Sequence, residues 1–165
     1  TDDASETPDT LQTVFEFDGF NLLWEHATGI DGGNYGRNHG IAFVGNNATL
    51  VVDRGGWEVI PEVEHESWRQ LRDQPKVEAV PLQAAAGGGL GPHTINFAES
   101  VRSRDASILK APIDVGYHAA RVSHMGNIAY KTGNRLFWDD AASAFTDPAA
   151  NALMHVEYHN GWSLK

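Results

Sequence analysis

The sequence predicts an α+β fold, with an open, mainly antiparallel sheet and helices packed on one face. Three observations carry that expectation. Five short β-rich runs follow one another before residue 61, helical periodicity appears only after Pro92, and strands and helices never alternate as a parallel sheet requires. At 165 residues the chain suits a single domain over residues 1–165.

The first run alternates imperfectly, Leu11, Thr13, Phe15 and Phe17 against Gln12, Val14 and Glu16, and Asp18-Gly19 is a turn pair before residues 20–26. This reads as a hairpin. Residues 28–40 contain five glycines, which neither helix nor strand tolerates well, so a long loop is expected. Residues 41–44, 49–52 and 57–60 supply three more strands, divided by Gly45-Asn46-Asn47 and Arg54-Gly55-Gly56. Five sequential strands make an antiparallel meander the economical arrangement. Residues 61–91 turn to Glu, Gln, Pro, Ala and Gly without a sustained period, the composition of a mobile surface connection.

After Pro92, Ile95, Phe97, Ala98 and Val101 suit a helix that ends near Arg102 or Arg104, where a cation favours the helix dipole. Val115, Ala119, Val122, Gly126 and Ala129 repeat at helical spacing between Asp114 and Gly133, the strongest helical signal in the chain. Residues 135–138 suit a further strand. Asp147-Pro148 suits the cap of a last short helix reaching to about His155.

Composition narrows the function classes. Twelve Lys and Arg against 22 Asp and Glu give a net charge of −10, which argues against a nucleic-acid partner because phosphate backbones are held by clustered cations. The absence of cysteine excludes disulfides, thiolate metal sites and a Cys nucleophile. No apolar run approaches the ~20 residues that span a bilayer, so no membrane partner is expected. The first 20 residues carry six acids and no base, unlike a signal peptide. Starting at Thr1-Asp2-Asp3 without Met, the chain looks cut from something longer. A soluble protein, cytoplasmic or periplasmic, fits these features equally well.

Chemistry-bearing residues concentrate in the glycine-rich loop. Asp31, Asn34, Tyr35, Arg37, Asn38 and His39 bring carboxylate, amide, phenol, guanidinium and imidazole together, a set suited to a polyhydroxy or carboxylate ligand. A solvated loop or a subunit contact is the alternative. Arg54 and Trp57 follow at a turn, where the indole suits stacking on a sugar face as well as core packing. Asp114 and His118 stand one helical turn apart, a spacing that orients a general base but equally describes a dipole-favoured acid and a partly buried, hydrogen-bonded histidine. His155 and His159 are four apart without the intervening Glu of a zincin, so no metal site is assigned. Gly87-Gly88-Gly89-Leu90-Gly91 lacks the Gly-x-Gly-x-x-Gly spacing and reads as following alanines, not a strand, so no dinucleotide cradle is assigned either.

Longer strings are more specific. Glu6-Thr-Pro-Asp-Thr-Leu11, Trp24-Glu-His26, Gly40-Ile-Ala-Phe-Val-Gly45, Thr49-Leu-Val-Val-Asp-Arg-Gly-Gly-Trp-Glu-Val59, His93-Thr-Ile-Asn-Phe97, Gly126-Asn-Ile-Ala-Tyr130, Ala149-Ala-Asn-Ala-Leu153 and Gly161-Trp162 together resemble the C-terminal part of bacterial Gfo/Idh/MocA oxidoreductases. The resemblance runs in order along nearly the whole chain. It implies an α+β domain that helps form a sugar or polyol site and a homo-oligomeric interface through its sheet, beside a separate Rossmann domain holding NAD or NADP. The family's glycine fingerprint, its Glu-Lys-Pro segment and its catalytic Asp-x-x-x-His helix have no counterpart in this chain. Asp114 and His118 copy the last spacing but sit in the stretch that resembles the family's late helix, so the catalytic role is not transferred. The resemblance therefore implies a domain that is not catalytically complete alone, with no cofactor in this chain. A glycoside hydrolase reusing the fold is the alternative, with Asp31, Asp53 and Glu58 as its carboxylates.

Overall fold

Elements follow one another as β1 (Thr10–Phe17), β2 (Phe20–Ala27), a 3-10 turn (Asn34–Gly36), β3 (Ile41–Val44), β4 (Ala48–Asp53), β5 (Gly56–Pro61), β6 (Val63–His65), β7 (Asp73–Pro75) and β8 (Val80–Ala84). Then come α1 (Leu90–Ser103), a second 3-10 turn (Ala106–Ile108), α2 (Ile113–Thr132), β9 (Trp138–Asp139), β10 (Ala144–Phe145) and α3 (Pro148–Ala152). The structure is a computed structural model that describes residues 7–65, 73–87, 89–155 and 158–163. The fold is α+β, with every strand pair antiparallel. The expectations placed on Thr1-Asp2-Asp3, on Gly88 and on residues 66–72 lie outside the described residues.

The chain forms two compact units, one from Thr28 to Lys110 and one from the segments on either side of it. In the flanking unit, β1 and β2 pair from Thr10 opposite Ala27 to Phe17 opposite Phe20. The two-residue loop needs a left-handed residue, and Gly19 supplies it at φ 88°. Period-2 alternation then sets Leu11, Thr13 and Phe15 beside His26, Trp24 and Leu22 on one face. Helix α2 crosses that face at Gly126, where an added Cβ would meet Thr13 Oγ1 at 3.3 Å and Phe15 at 3.5 Å. A larger residue here would press on the Thr13 and Phe15 side chains.

The core of this unit lies at the end of α2. Ile128, Phe145 and Ala150 are buried, with Met125, Leu136 and Trp138 packed against them. Trp138 meets Phe145 edge-on at a ring separation of 5.1 Å. Asp147 caps α3 by accepting from the Ala149 and Ala150 amides, Pro148 occupies the first turn, and Asn151 bonds both backbone groups of Phe145 at 2.8 and 2.7 Å. One side-chain amide thus satisfies polar groups that the two-residue β10 is too short to pair.

In the central unit, four strands form one sheet in the order β3-β4-β5-β8, and β6 and β7 pair separately. Alternation and register divide the sheet's side chains by face. Thr49, Val51 and Asp53 of β4 share one face with Glu58 of β5, and Ile41, Phe43, Leu50, Val52 and Trp57 share the other. Val51 and Thr49 are buried, whereas Ile41 is 61%, Phe43 59% and Trp57 43% exposed. Helix α1 packs on the second 3-10 turn, where Asn96 donates to the Ile108 carbonyl and accepts from the Lys110 amide.

Several expectations are corrected in detail. The five-strand meander divides, because β1 and β2 form their own sheet and β3, β4 and β5 another. The stretch at 61–91, read as a connection, contains β6, β7 and β8, and β8 joins the main sheet. The glycine-rich segment before α1 therefore does follow a strand, although β8 is antiparallel to β5 and builds no parallel β-α unit. The strand expected at 135–138 is only Trp138–Asp139, and α3 stops at Ala152, short of His155.

Candidate functional site

The polar face of the four-stranded sheet carries the site. Residues 31–38 of the glycine-rich loop lie against β4 and β5 and bring Arg37 between two carboxylates. Its Nη1 donates to Asp53 Oδ2 at 2.6 Å, and its Nη2 donates to Glu58 Oε1 at 2.5 Å. The loop takes this course for two local reasons. Gly33 passes so close to the Arg37 carbonyl that any Cβ there would overlap the oxygen, and Tyr35 adopts the left-handed conformation, φ 59° and ψ 23°. A bulky residue in that region is strained by about 1–3 kcal/mol, and such strain persists only where its surroundings enforce it.

Between loop and sheet lies an open basin of about 590 Å³. That volume falls within the ~300–1,000 Å³ typical of small-molecule sites. The loop contributes Asp31, Tyr35, Arg37 and Asn38 to its lining, and the sheet contributes Asp53, Glu58 and Leu82. A second hollow, in the flanking unit between the hairpin and α2, measures only about 80 Å³. It is too small for a sugar. Its one ionisable group, His26, has both ring nitrogens engaged, by the Trp24 indole N–H at 3.2 Å and the Pro8 carbonyl at 3.0 Å. The indole can only donate and the carbonyl only accept, which assigns the His26 proton to Nε2.

The electrostatics of the basin centre on the Arg37 cluster. Hydrogen bonding to Arg37 is the main influence holding the Asp53 carboxyl below its ordinary range, against the opposing effect of desolvation, with the Gly55 and Gly56 amides helping. Asp53 and then Glu58 in turn raise Arg37 above its usual value. Asp53 is thereby held ionised and Arg37 protonated at neutral pH.

The expected site residues separate into those the basin gathers and those it does not. Asp31, Tyr35, Arg37, Asp53 and Glu58 line it. Asn34, His39, Arg54 and Trp57, expected with them, do not. Asn34 offers its backbone carbonyl to the Arg37 amide, His39 Nδ1 sits 2.6 Å from Asn38 Oδ1, and Arg54 is exposed in the β4–β5 turn. Trp57 is one residue from Glu58 and therefore points from the opposite face of the sheet. Asp114 and His118 are in the other unit, both exposed and without a hydrogen bond to each other, and His118 lies edge-on to Tyr117 at 5.4 Å. His118 is therefore not the partly buried, hydrogen-bonded residue expected.

No family model, curated protein or solved structure matches this chain.

Sequence reasoning missed Leu82, which comes from β8. The signal available was the alternation of Val80, Leu82 and Ala84 with Pro81 and Gln83, a short run inside a stretch read as a connection. Among the described residues no three His, Asp or Glu side chains gather as a metal site, and no helix is long and apolar enough to cross a membrane. The guanidinium that lines the basin is shared by two carboxylates.

Proposed function

We propose that this chain is the substrate-binding and assembly portion of a sugar or polyol oxidoreductase, working with NAD or NADP held by a separate dinucleotide-binding portion. One observation carries the reading. A single four-stranded sheet presents a polar, loop-lined basin on one face and an uncovered apolar layer of Ile41, Phe43 and Trp57 on the other. The first face suits a small hydroxylated ligand, which needs a few placed polar groups beside an apolar contact such as Leu82. The second suits a second copy of the chain, because β3 is a short edge strand whose side chains are all exposed.

The test has two arms. Hexose titrations followed by amide NMR should perturb residues 31–38, while NAD and NADP should leave calorimetry flat. Micromolar dinucleotide binding by the chain alone would sink the proposal. Light scattering should show a dimer or larger species that Phe43→Glu returns to monomer, and a concentrated wild type that stays monomeric would remove the assembly role.

The glycoside-hydrolase alternative has less support. A general acid needs a raised carboxyl, and Asp53 is shifted the other way, while Glu58 shares its guanidinium. Asp31 is the lining carboxylate outside that cluster. Aryl-glycoside cleavage abolished by Asp31→Asn would favour this alternative instead.

A further inference from the structure

Resting on the basin reading above, we infer that the site selects its ligand by charge, taking neutral or amino-bearing sugars and rejecting the corresponding sugar acids. The argument begins at Arg37, the cation a carboxylate ligand would seek. Its two terminal nitrogens already donate to Asp53 at 2.6 Å and Glu58 at 2.5 Å, so its single positive charge is offset by two carboxylates before a third arrives. Three carboxylates, Asp31, Asp53 and Glu58, face the basin against one guanidinium, a net charge of −2. An incoming anion meets net repulsion from these carboxylates. A ligand rich in hydroxyl or ammonium donors meets acceptors instead, because carboxylates only accept. Asp31 sets the selection most directly, being the carboxylate outside the Arg37 cluster.

The geometry also opposes displacement of Asp53 from Arg37 by the ligand. Asp53 is fixed a second time, its other oxygen accepting from Gly55 N at 2.6 Å and Gly56 N at 3.0 Å. It is a positioning residue that holds Arg37 and the β4–β5 turn together. The Glu58 backbone pairs opposite Val51 of β4, and its carboxylate is held by Arg37.

Saturation-transfer NMR and calorimetry with the full chain would use glucose and galactose, their 2-amino forms and their uronates, at millimolar concentration and low salt. Amino sugars should bind about fivefold more tightly than the neutral hexoses, and uronates about fivefold more weakly, the factor expected of one unit charge a few ångströms away in a hydrated site. Both gaps should narrow in 0.5 M salt, and Asp31→Asn should narrow them at low salt. Uronates binding as well as the neutral sugars would overturn the charge selection while leaving the basin as a sugar site. Transfer to none of the six would overturn both readings. Asp31 is an exposed loop residue, and a thermal melt matching wild type would show that Asp31→Asn reports on binding and not on folding.

Discussion

Arg37 and Arg121 are each partly buried in their own unit, yet opposite kinds of neighbour hold them. Arg37 is clasped by the carboxylates of Asp53 and Glu58. Arg121 lies between two rings, 5.8 Å from the centre of Tyr117 and 5.1 Å from that of Trp138, and its nearest acid, Asp140, stands 3.7 Å away and largely exposed. Its Nε is buried without a hydrogen-bond partner. The first arrangement depends on charge and places polar groups around a basin. The second depends on contact, since Trp138 also covers the core residue Phe145. The same side chain therefore anchors a polar basin in one unit and a packed corner in the other, and acid and core truncation should affect the two differently.

Core truncation should give the largest effect. Phe145→Ala removes a buried ring from beside Ile128, Ala150 and Trp138, and should cost about 3–5 kcal/mol of unfolding free energy. Urea denaturation followed by tryptophan fluorescence measures it. A loss under about 1 kcal/mol would mean that the corner is not held by packing.

Next comes Arg37→Met, which keeps bulk and leaves Asp53 and Glu58 facing one another without their cation. A fall in Tm of roughly 5 °C at neutral pH is expected. The pH dependence follows from the direction of the shift at Asp53. Its folded value lies below the unfolded one, so its stabilising contribution is complete above the unfolded value and is lost as pH falls through the folded one. Wild type should therefore lose this contribution on acidification below about pH 4, and the gap to Arg37→Met should close over the same interval. A gap that stays constant from pH 7 to pH 2 would show that Arg37 acts by packing, as Arg121 does.

Much of this contrast was legible in the sequence, and what was not has a physical reason. Period 2 in Leu11, Thr13, Phe15 and Phe17 and helical spacing from Val115 to Ala129 placed the hairpin and α2, although Phe17, Val115 and Ala119 stay exposed and the covered part of each face is Leu11, Thr13 and Phe15 in β1 and Val122, Gly126 and Ala129 in α2. The loop holding Tyr35 and Arg37 was legible from its glycines. The choice of partners was not, since Arg37 meets Asp53 and Glu58 across 16 and 21 residues, a separation no local pattern encodes. For Trp57 the sequence left stacking and packing both open, because alternation gives parity but not which side of the sheet faces the loop. β10 escaped notice because its two residues are completed by the Asn151 side chain, leaving no period to read.

Smaller effects sharpen the comparison from the packed side. Asp147→Ala removes the cap that accepts from the Ala149 and Ala150 amides and should cost about 1 kcal/mol. Asp147→Asn should recover most of that loss, since an amide oxygen caps nearly as well. Chemical denaturation of both variants checks the pair. Failure of the Asn variant to recover would show that charge, not the acceptor, holds α3.

Arg121→Met should have the smallest effect. The thioether chain can fill the space between Tyr117 and Trp138, the distant contact to Asp140 contributes little, and the buried unpaired Nε disappears with the guanidinium. The stacking lost is worth about 0.5–1 kcal/mol per ring at most, and relief of the unsatisfied nitrogen offsets part of it. The net change should therefore stay within about 1 kcal/mol and show no dependence on pH between 3 and 8, in contrast to Arg37→Met. Parallel urea titrations of the two variants at pH 3 and pH 7 decide the point. If the loss that Arg121→Met causes relative to wild type shrinks from pH 7 to pH 3, as it should for Arg37→Met, Asp140 is a true ion partner, and the two arginines are held by the same force after all.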